Sequence, residues 1–223
     1  MCGRYTQTAS PDALILRFGF KSGDIIVKRR YNLAPGQEAP VVLMEEGRTL
    51  SLMGWGLVPS WAKEPSIGYK MINARAETVA EKASFKRLLP ARRCLVLADG
   101  FYEWARLERG KAPMRFTLKG GAPFAFAGLW DRWRKPDGGE LITFTIITTR
   151  ANELMKPVHD RMPVILERAG EEPWLDPDVK GAAELGALLK PFPAEGMEAY
   201  YVSPLVNSPR NDVPQCIEAV EGP

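Results

Sequence analysis

The feature that most constrains this chain is its punctuation. Short apolar or alternating runs at residues 40–44, 49–57, 94–98, 114–118 and 124–129 are cut apart by glycine and proline, which end strands and open turns. Residues 141–149, dense in Ile, Thr and Phe, form the clearest strand, because β-branched and aromatic side chains suit a pleated, half-buried surface. Residues 164–166 and 199–202 add late strands. Ser10-Pro11-Asp12 ahead of Ala13-Leu14-Ile15-Leu16-Arg17-Phe18 reads as a helix with Ser10 at its N-cap, Pro11 in its first position and Gly19 as its stop. Further helical patterns fall at residues 77–89, 152–155 and 182–189. The 19 prolines and 20 glycines are spread evenly, so no linker stands out, and no repeat is visible. The 223 residues suit one domain. The expected fold is a single α+β domain spanning residues 1–223, with a curved, barrel-like, mainly antiparallel β core and helices around it.

Composition excludes several classes. Hydrophobic residues at 45% and charged residues at 26% are ordinary for a soluble fold with a real core. No apolar run approaches the length of a membrane span, and Met1-Cys2-Gly3-Arg4-Tyr5-Thr6 lacks the basic start and apolar stretch of a signal peptide. A cytoplasmic protein with reduced thiols is therefore expected. Cys2, Cys94 and Cys216 are too scattered for a disulfide framework, and the single histidine argues against a Cys/His metal site. The net charge of +3 permits a basic groove without demanding one.

Four places interrupt the apolar pattern with chemistry. If Met1 is removed, Cys2 presents a free α-amine beside its thiol. Such a 1,2-aminothiol condenses with an aldehyde to a Schiff base, which the thiol closes to a five-membered thiazolidine. An α-amine has an ordinary pKa of about 7.7–8.0, so a useful neutral fraction exists near pH 7. His159 lies in Pro157-Val158-His159-Asp160-Arg161-Met162-Pro163 and belongs to the residue type best suited to shuttle protons at neutral pH. A satisfied structural histidine is the plainer alternative. Glu103, in Gly100-Phe101-Tyr102-Glu103-Trp104, is flanked by aromatics whose packing would desolvate it and favour its protonated form; an exposed carboxylate at a strand end is the alternative. In Asn73-Ala74-Arg75-Ala76-Glu77-Thr78, Asn73 offers an amide to hold an oxygen or amine and Arg75 a planar cation for phosphate, or else the stretch is a helix entry capped by Asn73 or Thr78. Arg4, Tyr31, Trp55, Trp61, Trp104, Trp130 and Trp133 interleave cations with aromatics as single-strand binders do, although most of these rings suit the core. Trp61 is the best candidate for exposure.

Taken in chain order, Cys2-Gly3-Arg4-Tyr5, Tyr31-Asn32-Leu33-Ala34-Pro35-Gly36, Trp55-Gly56-Leu57-Val58-Pro59-Ser60-Trp61 and the Asn73, Gly100 and His159 stretches closely resemble the SOS-response-associated peptidase (SRAP) family. The resemblance runs from Cys2 to residues 207–212, almost the whole chain. It implies capture of abasic sites in single-stranded DNA by a covalent thiazolidine at Cys2. Asn73 would then position the N-terminal amine, Glu103 would move protons during Schiff-base formation, and His159 would assist sugar ring opening and crosslink reversal. Arg4, Arg75 and Arg161 match phosphate-binding positions, Pro35 and Trp61 match residues supporting a bent strand, and Thr148 falls at a DNA-contacting position, with Thr149 adjacent. Residues 19–30 and 170–196 carry no usable motif.

No metal or organic cofactor is implied, the partner is single-stranded DNA with abasic sites, and nothing demands more than a monomer, cytoplasmic and gathered on the nucleoid during DNA damage. The imine stage also admits β-elimination, an abasic-site lyase activity that ring closure would divert. Two competing readings are a cysteine peptidase limited to removing its own Met1, and a non-catalytic reader of modified DNA whose binding would survive loss of Cys2.

Overall fold

The computed structural model describes residues 2–223. Its strands, in chain order, are β1 (Tyr5–Gln7), β2 (Arg30–Leu33), β3 (Glu38–Glu45), β4 (Gly47–Trp55), β5 (Asn73–Arg75) and β6 (Arg93–Ala98). They continue with β7 (Gly100–Arg106), β8 (Lys111–Leu118), β9 (Phe124–Arg134), β10 (Glu140–Arg150), β11 (Arg161–Pro163) and β12 (Met197–Tyr201). Three short helices accompany them: α1 (Pro11–Phe18), α2 (Arg168–Leu175) and α3 (Ala182–Leu188).

One sheet is antiparallel throughout, in the order β12-β8-β7-β1-β2. The other runs β11-β10-β4-β3-β6-β9, and β9 returns to pair along β10 from Gly128 to Arg134. Strands β10, β4, β3, β6 and β9 therefore close a ring, which removes the open edges that a flat sheet would expose. The expected barrel-like, mainly antiparallel α+β fold is what forms. β10 is the exception to antiparallel pairing, running parallel to β4 and to β5.

Alternation along the central strands divides the core. Val41 and Val96 face one buried cluster with Cys2, Tyr5, Trp55, Phe101, Phe126 and Phe144. Their neighbours Val42 and Leu95 face another with Leu14, Phe18, Leu50, Ile147 and Trp174. Both faces of β3 and β6 are thus covered, which is why their sequences read as nearly unbroken apolar runs.

The α1 boundaries match the sequence reading. Ser10 Oγ accepts from Ala13 N–H at 3.3 Å, and Gly19, at φ 64°, donates its N–H to Ile15 O at 2.8 Å. α3 also falls where expected, within one residue. Residues 77–89 and 152–155 do not form α-helices. They fold as successive turns, with i→i+3 and i→i+4 bonds mixed along the backbone, such as Lys82 N–H to Thr78 O and Phe85 N–H to Lys82 O. The late strand expected at 164–166 begins earlier, at Arg161, and pairs with β10, leaving a single bridge at Ile165. α2 lies partly in the stretch that carried no motif. Its internal Pro173 and low apolar content hide it, although Trp174 and Leu175 are buried.

Candidate active site at the chain start

β1 brings the N-terminal segment into the middle of the antiparallel sheet. Tyr5 pairs with Phe101 and Thr6 with Gly100, and Tyr102 N–H donates to Arg4 O at 2.9 Å. This backbone pairing brings the chain start alongside β7, and Cys2 lies within electrostatic reach of Glu103 on that strand. Cys2 has no exposed surface. Burial pushes its thiol far above the ordinary range, and the nearby Glu103 carboxylate adds to the effect. The sulfur is therefore protonated at neutral pH.

Glu103 is only 7% exposed, which settles the alternative of an exposed strand-end carboxylate against it. Burial raises its pKa, and electrostatic interactions with His159 and Lys111 partly offset the rise. Glu103 thus lies within electrostatic reach of both Cys2 and His159. All three cysteines are free thiols and buried.

His159 closes a turn rather than a helix, its N–H bonded to Met155 O at 3.0 Å. Its Nδ1 lies 2.9 Å from the Arg161 amide and 2.8 Å from an Asp160 carboxylate oxygen. One nitrogen cannot accept from the amide and donate to the carboxylate at once, so the contacts belong to different protonation states. The amide is held by the pairing of β11 with β10, whereas Asp160 is largely in solvent. The favoured arrangement accepts the amide at Nδ1 and leaves Nε2 to carry the proton.

Asn73 lies on β5, opposite Ile146 of β10 and beside Ile72, which packs against the cluster holding Cys2. It caps no helix. Its Nδ2 donates to Ile72 O at 2.9 Å, and its buried Oδ1 is an unspent acceptor. Ile72 O is fixed from a second side by Trp55 Nε1 at 3.0 Å.

The cations expected around the site divide into two kinds. Arg75 is exposed on β5. Arg4 and Arg161 are already engaged. Arg4 Nη1 donates to Asn32 Oδ1 at 2.8 Å and Val206 O at 2.7 Å, and its guanidinium lies 5.8 Å from the Trp104 ring centre. Arg161 forms a two-pronged pair with Glu77 at 2.7 and 2.9 Å and also donates to Thr148 O at 2.6 Å. Thr148 has no exposed surface and Thr149 is buried too, so direct contact with DNA, as expected for Thr148, has no surface to act through. The Thr148 hydroxyl lies 3.3 Å from Arg161 Nη2 and steers that guanidinium instead. Pro35 is half-buried in the turn after β2. Trp61 is 52% exposed, whereas Trp55, Trp133 and Trp174 are buried, so the sequence reading picked the exposed ring correctly.

The sequence did not single out Asn32 or Asp212, which organise the rim. Asn32 Nδ2 donates to the carbonyls of Val206, Ser208 and Asn211, and Asp212 accepts from the amides of Tyr31 and Asn32. Both lay inside motif stretches, but an amide and a carboxylate spent on backbone groups carry no chemical signature in a sequence.

A ring-closed β domain that buries Cys2 close to a carboxyl group, itself within reach of a histidine, defines the class of the site. The chain belongs to the SOS response associated peptidase (SRAP) family, whose model matches residues 1–209. It is 48% identical over 225 residues to the abasic site processing protein YoqW of Bacillus subtilis, covering 98% of this chain and 100% of that one. It is 34% identical to the abasic site processing protein HMCES of Xenopus tropicalis, covering 99% of this chain and 78% of the relative. A crystal structure of a Bacteroides thetaiotaomicron protein superposes with a TM-score of 0.90 at 31% identity, over 99% of this chain and 100% of that one.

Proposed function

We propose that this protein senses abasic sites in single-stranded DNA and joins itself to them through Cys2 once Met1, which lies outside the described residues, has been removed. The observation that carries the reading is the buried placement of Cys2 close to Glu103, which in turn lies within electrostatic reach of His159. It is supported by the relatives named as abasic site processing proteins.

The Cys2 amine attacks C1′ of the ring-opened sugar, whose carbonyl electrons move onto oxygen. Asn73 Oδ1, an acceptor with nothing to accept, holds an N–H of that amine. An N–H proton passes to the former carbonyl oxygen. Glu103, which burial makes hold its proton more tightly, donates it to the resulting hydroxyl, and water departs. The Glu103 carboxylate takes the remaining proton from nitrogen to leave the imine. The Cys2 sulfur then adds to the imine carbon, and the thiol proton ends on the ring nitrogen. One water is lost overall, and the lesion is shielded from strand breakage. His159, with its Nε2 proton, serves ring opening of the sugar and reversal of the crosslink.

A strand approaching the site meets Arg75 directly. It meets Arg4 and Arg161 through guanidinium groups already oriented, with Thr148 behind Arg161, and it finds support at Pro35 and Trp61. β-Elimination from the imine is the side branch that makes the protein a weak lyase, and self-removal of Met1 is its peptidase activity. A general cysteine peptidase fits poorly, because the thiolate it needs is disfavoured by burial. The chain works as a cytoplasmic monomer that gathers on damaged nucleoid DNA.

The decisive experiment incubates the protein with single-stranded DNA carrying one abasic site, followed by denaturing electrophoresis and intact mass, with Cys2→Ala alongside. The expected product is a heat-stable adduct at Cys2, with the mass of the chain lacking Met1 plus DNA minus water. Absence of an adduct on chain shown to lack Met1 would defeat the covalent reading.

A further inference from the structure

Trp61 is the exposed ring of a segment that leaves β4 and doubles back towards β5. At its base Gly56 and Gly68 approach so closely that a Cβ on Gly68 would stand 2.7 Å from Gly56 O. Above that base, alternate residues of the segment are tied down by side chains of β9 and β10. Val58 N–H donates to Thr143 Oγ1 at 2.8 Å. Ser60 N–H donates to Asp131 Oδ2 at 2.8 Å. Ala62 O accepts from Trp133 Nε1 at 2.7 Å. The spacing follows from the sheet: Asp131 and Trp133 are two apart on one strand, and Asp131 pairs across with Thr143, so the three side chains share one face.

Asp131 is 1% exposed, and its charge is met by Arg87 at 3.3 Å and Arg92 at 3.5 Å. Arg87 also donates to Ser60 Oγ. A carboxylate buried this deeply is costly unless it is paired and hydrogen-bonded. Here its bonds go to the backbone immediately before Trp61 and to the arginine that grips Ser60.

We propose that Asp131, together with Trp133 and Thr143, is a positioning residue for nucleic-acid binding, fixing the segment from Val58 to Ala62 so that Trp61 is presented as a rigid stacking surface. The inference rests on the reading of Trp61 as a DNA-contacting residue. Bases stacking on a flexible loop must supply the entropy of ordering it, whereas here the fold has ordered it already.

The test measures equilibrium binding of an unmodified single-stranded oligonucleotide and crosslinking to an abasic one over a range of DNA concentrations. It compares the wild type with Asp131→Ala, Asp131→Asn, Trp133→Phe and Trp61→Ala. Freeing a few loop residues sets the expected loss at about tenfold in binding and in the DNA concentration for half-maximal rate. In the Asp131 and Trp133 variants the rate at saturating DNA, and reaction of Cys2 with glycolaldehyde, should stay at wild-type level. Asp131→Asn, which keeps an acceptor for Ser60 N–H, should recover part of the loss. In the Asp131→Ala/Trp61→Ala double variant the two losses should not add, because both act through one ring. If Asp131→Ala fails to fold, Trp133→Phe keeps a six-membered aromatic ring, loses the five-membered ring with the N–H that holds Ala62 O, and gives the same readout. Wild-type binding by the variants, or additive losses, would overturn the proposal. If wild-type protein binds DNA but forms no adduct, the covalent reading fails and the clamp stands or falls on the binding arm alone.

Discussion

Two carboxylates near the site are pulled in opposite directions, and each makes a distinct demand on experiment. Glu103 is raised by burial, so the folded chain holds its proton more tightly than the unfolded chain does. Below the ordinary carboxylate range both states are protonated and no penalty arises. As pH climbs through that range and on through the raised value, ionising Glu103 in the fold costs stability. Glu103→Gln should therefore be more stable than wild type near neutral pH, and the gap should close in acid; urea titrations at pH 4 and pH 7.5 would show it. Glu77 is lowered, chiefly by its hydrogen bonds to Arg161. It is half in solvent, so the pair adds little stability, and its interest is as a competitor for the guanidinium. Glu77→Gln should leave Arg161 available to a phosphate. Single-stranded DNA should bind more tightly, and the slope of log affinity against log salt should steepen by about one, measured by anisotropy.

At the scale of elements, α1 shows how local chemistry sets a boundary. Ser10→Ala removes the acceptor for Ala13 N–H and should cost about 1 kcal/mol, read as a lower urea midpoint at unchanged slope. α1 was legible because cap, first-turn proline and αL glycine all lie in adjacent residues. The long strands were legible because β-branched runs mark them. The turns at 77–89 were not, since apolar spacing there serves burial of Val79, Phe85, Leu88 and Leu89 without regular helical bonding. β5 was invisible for another reason: its three residues become a strand only because β10 is long enough to receive them in parallel. At the site, reactive residue types could be read directly, but the burial of Thr148 and the prior commitment of Arg4 and Arg161 depend on what lies across the sheet. Asp131 and Trp133 were hidden likewise, their partners being backbone atoms about 70 residues away.

Over the whole molecule, closure of the ring by β9 and β10 predicts how the protein opens. Amides shared by β6, β9 and β10 have no edge from which to fray, so they should exchange with solvent only through global unfolding. The three-residue β1 and the turns around His159 should exchange by local opening. Hydrogen exchange followed by mass spectrometry would separate the two groups, and protection of β9 no greater than that of β1 would contradict the closed ring.

The hold that Arg4 keeps on Val206 O has a consequence for biosynthesis. Translation delivers Arg4 fully 202 residues before the carbonyl it grips, and β1 long before β7 can pair with it. Until Val206 has emerged from the ribosome, the segment that carries Cys2 lacks that anchor. The surroundings of Cys2 are therefore assembled late, and the order of folding sets when the segment is first held in place.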